Sequence, residues 1–255
     1  MSIETALDVI KSLKDTDLEH CLKKMLRCTR KSLKKEEFVP KIAPYLTPAN
    51  DLTADQRSEA VTDLSTLRWK GLATLSLLFL LTSEEESLDW QALGSYLTNL
   101  GRLKDQIQYA ADIDVENVQT LLKSRKKTKK FLRKKASSLK DARSNLLTNV
   151  EKRQSFALES IQQTEMSNDE FHLLRKNIRN LLHFFTVLAK SLEINQTLYP
   201  IICELKAIVD ALATERAAVE KAEAFAGTDL PDAVIQMSNE TKELIRHFFV
   251  GNEAK

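Results

Sequence analysis

The chain has 255 residues, with 38 Lys or Arg against 36 Asp or Glu, three Cys, and only five Gly and five Pro. This length can bury one large core or two smaller ones; so few Gly and Pro favour long helices, and strand signals are correspondingly poor, with no period-two run of β-branched or aromatic residues between turn residues. The net charge of +2 conceals a strong segregation. Residues 123–143 carry eleven Lys or Arg and one acid, Asp141, a local +10 that leaves −8 for the remainder; such a stretch attracts phosphate-rich polyanions, acidic membrane surfaces or acidic proteins.

The N-terminus, Met1-Ser2-Ile3-Glu4, lacks the basic segment and apolar core of a secretory signal. Lys23, Lys24, Arg27, Arg30, Lys31, Lys34 and Lys35 fall within an arc of roughly 140° at helical spacing, opposite Leu22, Met25, Leu26 and Leu33. They predict one amphipathic helix whose wet side is wholly cationic. Cys21 and Cys28 fall on its apolar side, where burial is expected. With Cys203 they are odd in number and form no CxxC pair, so no disulfide framework or structural zinc is indicated and a reducing cytoplasm is the expected location. Pro40, Pro44 and Pro48 end this helix, and residues 40–51 read as an extended connection. Residues 1–51 are thus a basic N-terminal helix and its connection, and 52–255 a helical domain.

A long helix begins near Leu52 or Thr53, runs through Leu64, Leu67, Leu72, Leu75 and Leu78, and stops near Thr82. Its apolar run, 71–81, is about half of what crossing a bilayer requires, so it reads as a core helix and no membrane insertion is expected. Ser87 can cap the next helix, which carries Leu88, Leu93, Leu97, Leu100 and Ile107. A helix or helix pair over about 114–165 holds the basic run, with Leu121, Leu132, Leu139, Leu146 and Val150 as its narrow apolar stripe. Asn168 or Asp169 can cap a helix over about 170–192, another spans about 196–226, and Pro231 opens the last, which ends at Val250-Gly251.

Two of these segments repeat. Ser65-Thr66-Leu67-Arg68 with Leu75 and Leu78 matches His172-Leu173-Leu174-Arg175 with Leu182 and Phe185 at an offset of 107. Farther on, 100–107 matches 212–219 at an offset of 112, the second loop being five residues longer. Repeat one covers about 53–110 and repeat two about 169–226. The expected fold is all-α: two pseudo-symmetric helical bundles with a basic cleft between them.

His172, Arg175, Lys176, Arg179 and His183 share an arc of about 100°, opposite Leu174, Ile178, Leu181, Leu182 and Phe185. Guanidinium forks, an ammonium and imidazoles on one face suit phosphate oxygens, because Arg can bond two of them in a plane. The plainer alternative is a solvated basic face. The stretch 171–181 resembles the His-x-x-Arg-x-x-x-Arg-x-Leu helix of the CHAD family, the conserved histidine α-helical domain, and Leu100-Gly101-x-x-Lys104-Asp105-x-Ile107 is similar to that family's second repeated element. The resemblance covers roughly 53–226 and implies two helical bundles that bind inorganic polyphosphate in a basic channel. It further implies phosphate contacts by His172, Arg175 and Arg179, with Lys104 and Arg216 as lesser contributors. The first repeat departs from the pattern: Ser65 stands for the histidine, Arg68 and Lys70 are about 200° apart and cannot share a face, and Ala217 replaces an acid in the second. Lys126, Lys127, Lys130 and Arg133 are therefore expected to extend the pocket in place of the missing cations.

Enzyme chemistry finds no footing. The glycines are scattered, so no phosphate-cradling loop exists; Glu84, Glu85 and Glu86 read as helix-junction acids; and His172 and His183, eleven residues apart, are too distant for one metal ion. Neither catalysis nor a cofactor is expected. The expected function is binding of polyphosphate or a similar linear polyanion. The alternatives are a helical scaffold docking an acidic protein, or a nucleic-acid-binding protein, the latter weakened by Phe131 being the sole aromatic residue in the basic run.

Overall fold

With so few helix-breaking residues, the chain forms helix after helix. The computed structural model describes residues 2–46, 52–82, 90–134, 139 and 141–251. In order these form α1 (Ile3–Ser12), α2 (Asp15–Ser32), α3 (Lys35–Ile42), a 3-10 turn (Ala43–Leu46), α4 (Ala54–Leu81), α5 (Gln91–Gln108), α6 (Val115–Lys134), α7 (Ala142–Ser160), β1 (Met166–Ser167), α8 (Asn168–Leu192), α9 (Asn195–Ala226), β2 (Val234–Ile235) and α10 (Asn239–Val250). The fold is all-α apart from β1 and β2, which pair antiparallel over two residues each.

Local chemistry sets several boundaries. Thr53 accepts from the Gln56 amide while the Gln56 side chain returns to the Thr53 N–H, a reciprocal cap that starts α4. Ser167 and Glu170 do the same for α8, so the cap lies just before Asn168 and Asp169, and Asn168 is freed for another task. Gly227, at φ +69°, closes α9 in the left-handed conformation. The last helix starts at a Ser238 cap, later than Pro231, because β2 occupies the intervening chain.

α4 is the central element, packed by α2, α5, α7 and α8. It is long and apolar enough to pass a composition test for crossing a membrane, yet Leu64, Leu77, Leu80 and Leu81 are fully buried among the other helices. One hydrophobic cluster extends from Ile3 to Phe249. Leu18, Leu26, Leu33, Phe38 and Ile42 belong to it, so the first 46 residues share the core of the rest. Between α4 and α5, Gly71 allows close approach: a Cβ there would lie 2.6 Å from Leu97 Cδ2.

Three expectations near the N-terminus are corrected. The basic stretch is not one helix, since α2 ends at Ser32 and Lys34 and Lys35 begin α3. Pro40 does not end it but sits inside α3, where its fixed φ is helical and only one hydrogen bond is forgone. Cys28 is exposed, while Cys21 is buried and its thiol is pushed up to about 11 by desolvation. The expected Ser87 cap and the acids 84–86 lie outside the described residues.

Candidate anion site

A cavity of about 280 Å³ is lined by α4, α5, α8, α9, the first turn of α6 at Asn117, and the turns that follow α5 and α9. Arg68, Arg102, Lys104, Arg175, Arg179 and Arg216 face it, but so do Asp105, Asp114, Asp169, Glu220, Glu223 and Asp229. Six cations against six carboxylates make net charge uninformative; which cations are already paired decides what the cavity can bind.

Arg216 is fully committed. Its Nε donates to Asn168 Oδ1 at 2.7 Å, Nη1 to Glu220 Oε1 at 2.8 Å and Nη2 to Glu223 Oε2 at 2.8 Å. Asn168 Nδ2 donates in turn to Glu223 Oε1 at 2.8 Å and to the Leu230 carbonyl at 2.9 Å, which fastens the start of α8 to the end of α9. Arg216 is only 8% exposed, so it is a structural strut and not a free phosphate ligand. Arg175 donates through Nη1 to Glu220. Burial opposes ionisation of Glu220, but the Arg175 and Arg216 guanidiniums outweigh it and hold the carboxyl below its ordinary range. Lys104 pairs with Asp105, and Arg102 with Asp229 at 2.9 Å.

Arg68 and Arg179 differ. Neither hydrogen bonds nor forms an ion pair with any described residue, and each has a buried Nε without an acceptor. Burial, followed by the neighbouring guanidiniums Arg68 and Arg175, brings Arg179 down to about 9. Burial also lowers Arg68, with Asp105 partly offsetting it. Two guanidiniums held this close to one another and to Arg175 without carboxylates of their own raise the energy of the folded state, and an anion between them would lower it. His172 faces the same cavity with Nδ1 unpartnered. Desolvation, with Arg216, Arg179, Arg175 and Lys176 adding to it, depresses His172 to about 3, so its imidazole is neutral at pH 7.

Gly101 makes room for Arg68. A Cβ at that position would meet Arg68 Nη2 at 2.9 Å, Cζ at 3.0 Å and Nε at 3.1 Å. Gly inside a helix costs roughly 1 kcal/mol relative to Ala, and here the lost side chain is the space the guanidinium occupies. Gly101→Ala is expected to gain helix propensity, displace Arg68 from the cavity and weaken anion binding by about 1.5 to 3 kcal/mol, the value of one hydrogen bond to a charged group. Paired urea melts and ligand titrations measure both effects; unchanged binding would mean Arg68 is not a ligand.

Sequence reasoning placed His172, Arg175, Arg179, Lys104 and Arg216 together, and all line the cavity. It missed Arg68, which the 107-residue offset aligns with Arg175, while Lys70 does not line the cavity. Two residues of the same arc do not reach the cavity. Lys176 lies over the Phe79 ring, 5.4 Å from its centroid, and burial, then Arg179 and Arg153, lower its pKa. His183 is buried between α4 and α8, with Nδ1 3.3 Å from Ser76 Oγ and the Trp69 ring edge-on to it. Nor do Lys126, Lys127, Lys130 and Arg133 line the cavity. All four are exposed, because α6 buries Val118, Leu121, Thr128 and Leu132 and so turns them outward. The cation expected from α6 is supplied by α4 instead. Among the described residues no group of three or more His, Cys, Asp or Glu is placed to hold a metal ion.

No family model matches the chain, and no match is found among curated proteins or solved structures. The CHAD resemblance therefore rests on the residues of α5 and α8 alone.

The two depressed histidines have a consequence for stability. His183 is also held at about 3, by burial first and then by Arg179 and Arg68. Above pH 6.5 the imidazoles are neutral both folded and unfolded. As pH falls below 6.5 the unfolded chain takes up protons that the folded chain refuses, so stability declines steadily toward pH 3, by about 1.4 kcal/mol per pH unit for each histidine. Urea midpoints from pH 7 to pH 4 are expected to fall less steeply in His183→Gln; equal slopes would place the acid sensitivity elsewhere.

Proposed function

We infer that this chain is a non-catalytic binding protein for a phosphate-rich anion, with inorganic polyphosphate as the ligand that best fits. One observation carries the reading: Arg68, Arg175 and Arg179, from two different helices, converge on one cavity, and neither Arg68 nor Arg179 is bonded to a carboxylate among the described residues. Phosphate oxygens accept from guanidinium forks in a plane, and neutral His172 adds a donor or acceptor beside them. The carboxylates of Glu220 and Glu223 are engaged by Arg175 and Arg216, which keeps them from repelling the ligand at full strength.

The pseudo-symmetric arrangement is part of the proposal. Arg68 and Arg175, equivalent under the 107-residue offset, face the same cavity. Ser76 and His183, equivalent under the same offset, are 3.3 Å apart. Equivalent residues touch each other only beside a twofold axis, so these pairs support an axis between α4 and α8, with the cavity lying across it. The similarity of α8 to the CHAD helix supports polyphosphate over other anions.

Calorimetric titration with polyphosphate, heparin and single-stranded DNA at two salt concentrations tests the reading. Polyphosphate is expected to bind most tightly, with affinity falling as salt rises. Ligand in the cavity would offset the positive field on His172, so binding at pH 5 should be accompanied by proton uptake that His172→Gln removes. Equal affinity for all three polymers would overturn a dedicated phosphate site.

A further inference from the structure

The cavity leaves the most basic part of the chain unused. On α6, Lys123, Lys126, Lys127, Lys130 and Arg133 are exposed. At 100° per residue they occupy an arc of about 120°, rising about 15 Å along the helix axis. No acid occurs on α6 after Glu116, and none of these five pairs with a carboxylate among the described residues. A second cationic element adjoins them: Arg125 Nη1 donates to the Leu33 carbonyl at 2.8 Å, tying α6 to the α2–α3 corner where Lys31, Lys34 and Lys35 are exposed ahead of Glu36 and Glu37. The two cationic stretches of the sequence, some ninety residues apart, thus meet at one place.

We propose that this outward surface holds the phosphodiester backbone of a nucleic acid without reading its sequence, independently of the cavity. The composition of the surface selects the partner. Protein–protein interfaces are depleted in Lys and anchored by aromatic or apolar side chains, whereas surfaces that hold nucleic acids are far more positively charged and draw on phosphate contacts. Among the described residues the exposed large hydrophobic ones are Leu173, Tyr199, Phe225, Val234, Leu244 and Val250, and none is on α2, α3 or α6. The same lack of exposed apolar side chains removes the means of entering a lipid surface. Lysine ammonium groups are point charges on flexible stems, suited to a backbone whose phosphates shift in register, and the scarcity of aromatic residues fits a duplex, whose bases are stacked within, better than a single strand.

Fluorescence anisotropy with a 20-base-pair duplex of arbitrary sequence, and with polyglutamate, tests the proposal on the whole chain. Five phosphate contacts predict that duplex affinity falls roughly 10²- to 10³-fold between 50 and 200 mM salt. The quadruple variant Lys126→Gln, Lys127→Gln, Lys130→Gln, Arg133→Gln should bind at least 10-fold more weakly at low salt and flatten the log–log slope by about 3 to 4. Circular dichroism should be unchanged, since all four side chains are exposed. The cavity variant Arg68→Gln, Arg179→Gln should bind duplex as the unmodified chain does, so failure of this surface and failure of the cavity reading give different patterns. No duplex binding at 50 mM salt, an unaffected quadruple variant, or polyglutamate binding as tightly as the duplex would each overturn the proposal, the last in favour of an acidic protein partner.

Discussion

Replacing Arg68 and Arg179 together by Gln is expected to remove most polyphosphate binding while leaving the fold at least as stable as before. Both guanidiniums face the cavity and neither has a carboxylate partner among the described residues. If each makes one charge-assisted contact to phosphate, their loss weakens binding by about 3 to 6 kcal/mol, or on the order of 10²- to 10⁴-fold. Stability should move the other way. Arg179 is held at about 9 by burial and by the cations around it, and Arg68 is also lowered. A cation whose folded pKa lies below its unfolded value opposes folding at neutral pH, and the penalty shrinks only as pH rises through the folded value. Gln retains polar length without the charge, so the urea midpoint at pH 7 should rise. Unchanged affinity would sink the assignment of these residues as ligands, and a marked loss of stability would show that they hold the fold together.

The opposite pattern is expected at Arg216. Arg216→Ala should destabilise the chain by about 3 to 5 kcal/mol, because it leaves Glu223 as a largely buried carboxylate without its counter-charge, Glu220 with Arg175 alone, and Asn168 Oδ1 without its donor. Lys at this position should recover little, since one ammonium cannot reproduce three bonds from a planar fork. Adding Glu223→Gln to Arg216→Ala should restore part of the loss by removing one uncompensated charge. Urea unfolding of the single and double variants measures this, and a cost below about 1 kcal/mol for Arg216→Ala would show that the network is not a strut. The contrast between Arg216 and the pair Arg68 and Arg179 separates support from binding within one cavity, although all three are arginines that face it.

Helical periodicity and caps were legible in the chain because they depend on neighbours within a turn or two. The apolar stripe through Leu121, Leu132, Leu146 and Val150 is buried, and the face that carries His172, Arg175 and Arg179 was visible from spacing alone. The same spacing misassigned His183 and Lys176, which share that arc but sit where α4 closes over α8. It also passed over Arg68, which on its own helix shares no face with the nearby Lys70 and becomes a site residue only when Gly101 of α5 admits its guanidinium. The basic run at 123–143 was the strongest signal in the sequence, yet α6 packs with those side chains outward, and the cavity takes its cations from elsewhere. Composition and periodicity determined that the chain is helical and where α4, α8 and α9 begin and end. Only the tertiary structure decided which cations are matched by carboxylates and which are left to meet an anion, because pairs such as Arg175–Glu220 and Arg102–Asp229 join residues 45 and 127 positions apart and are set by how whole helices pack.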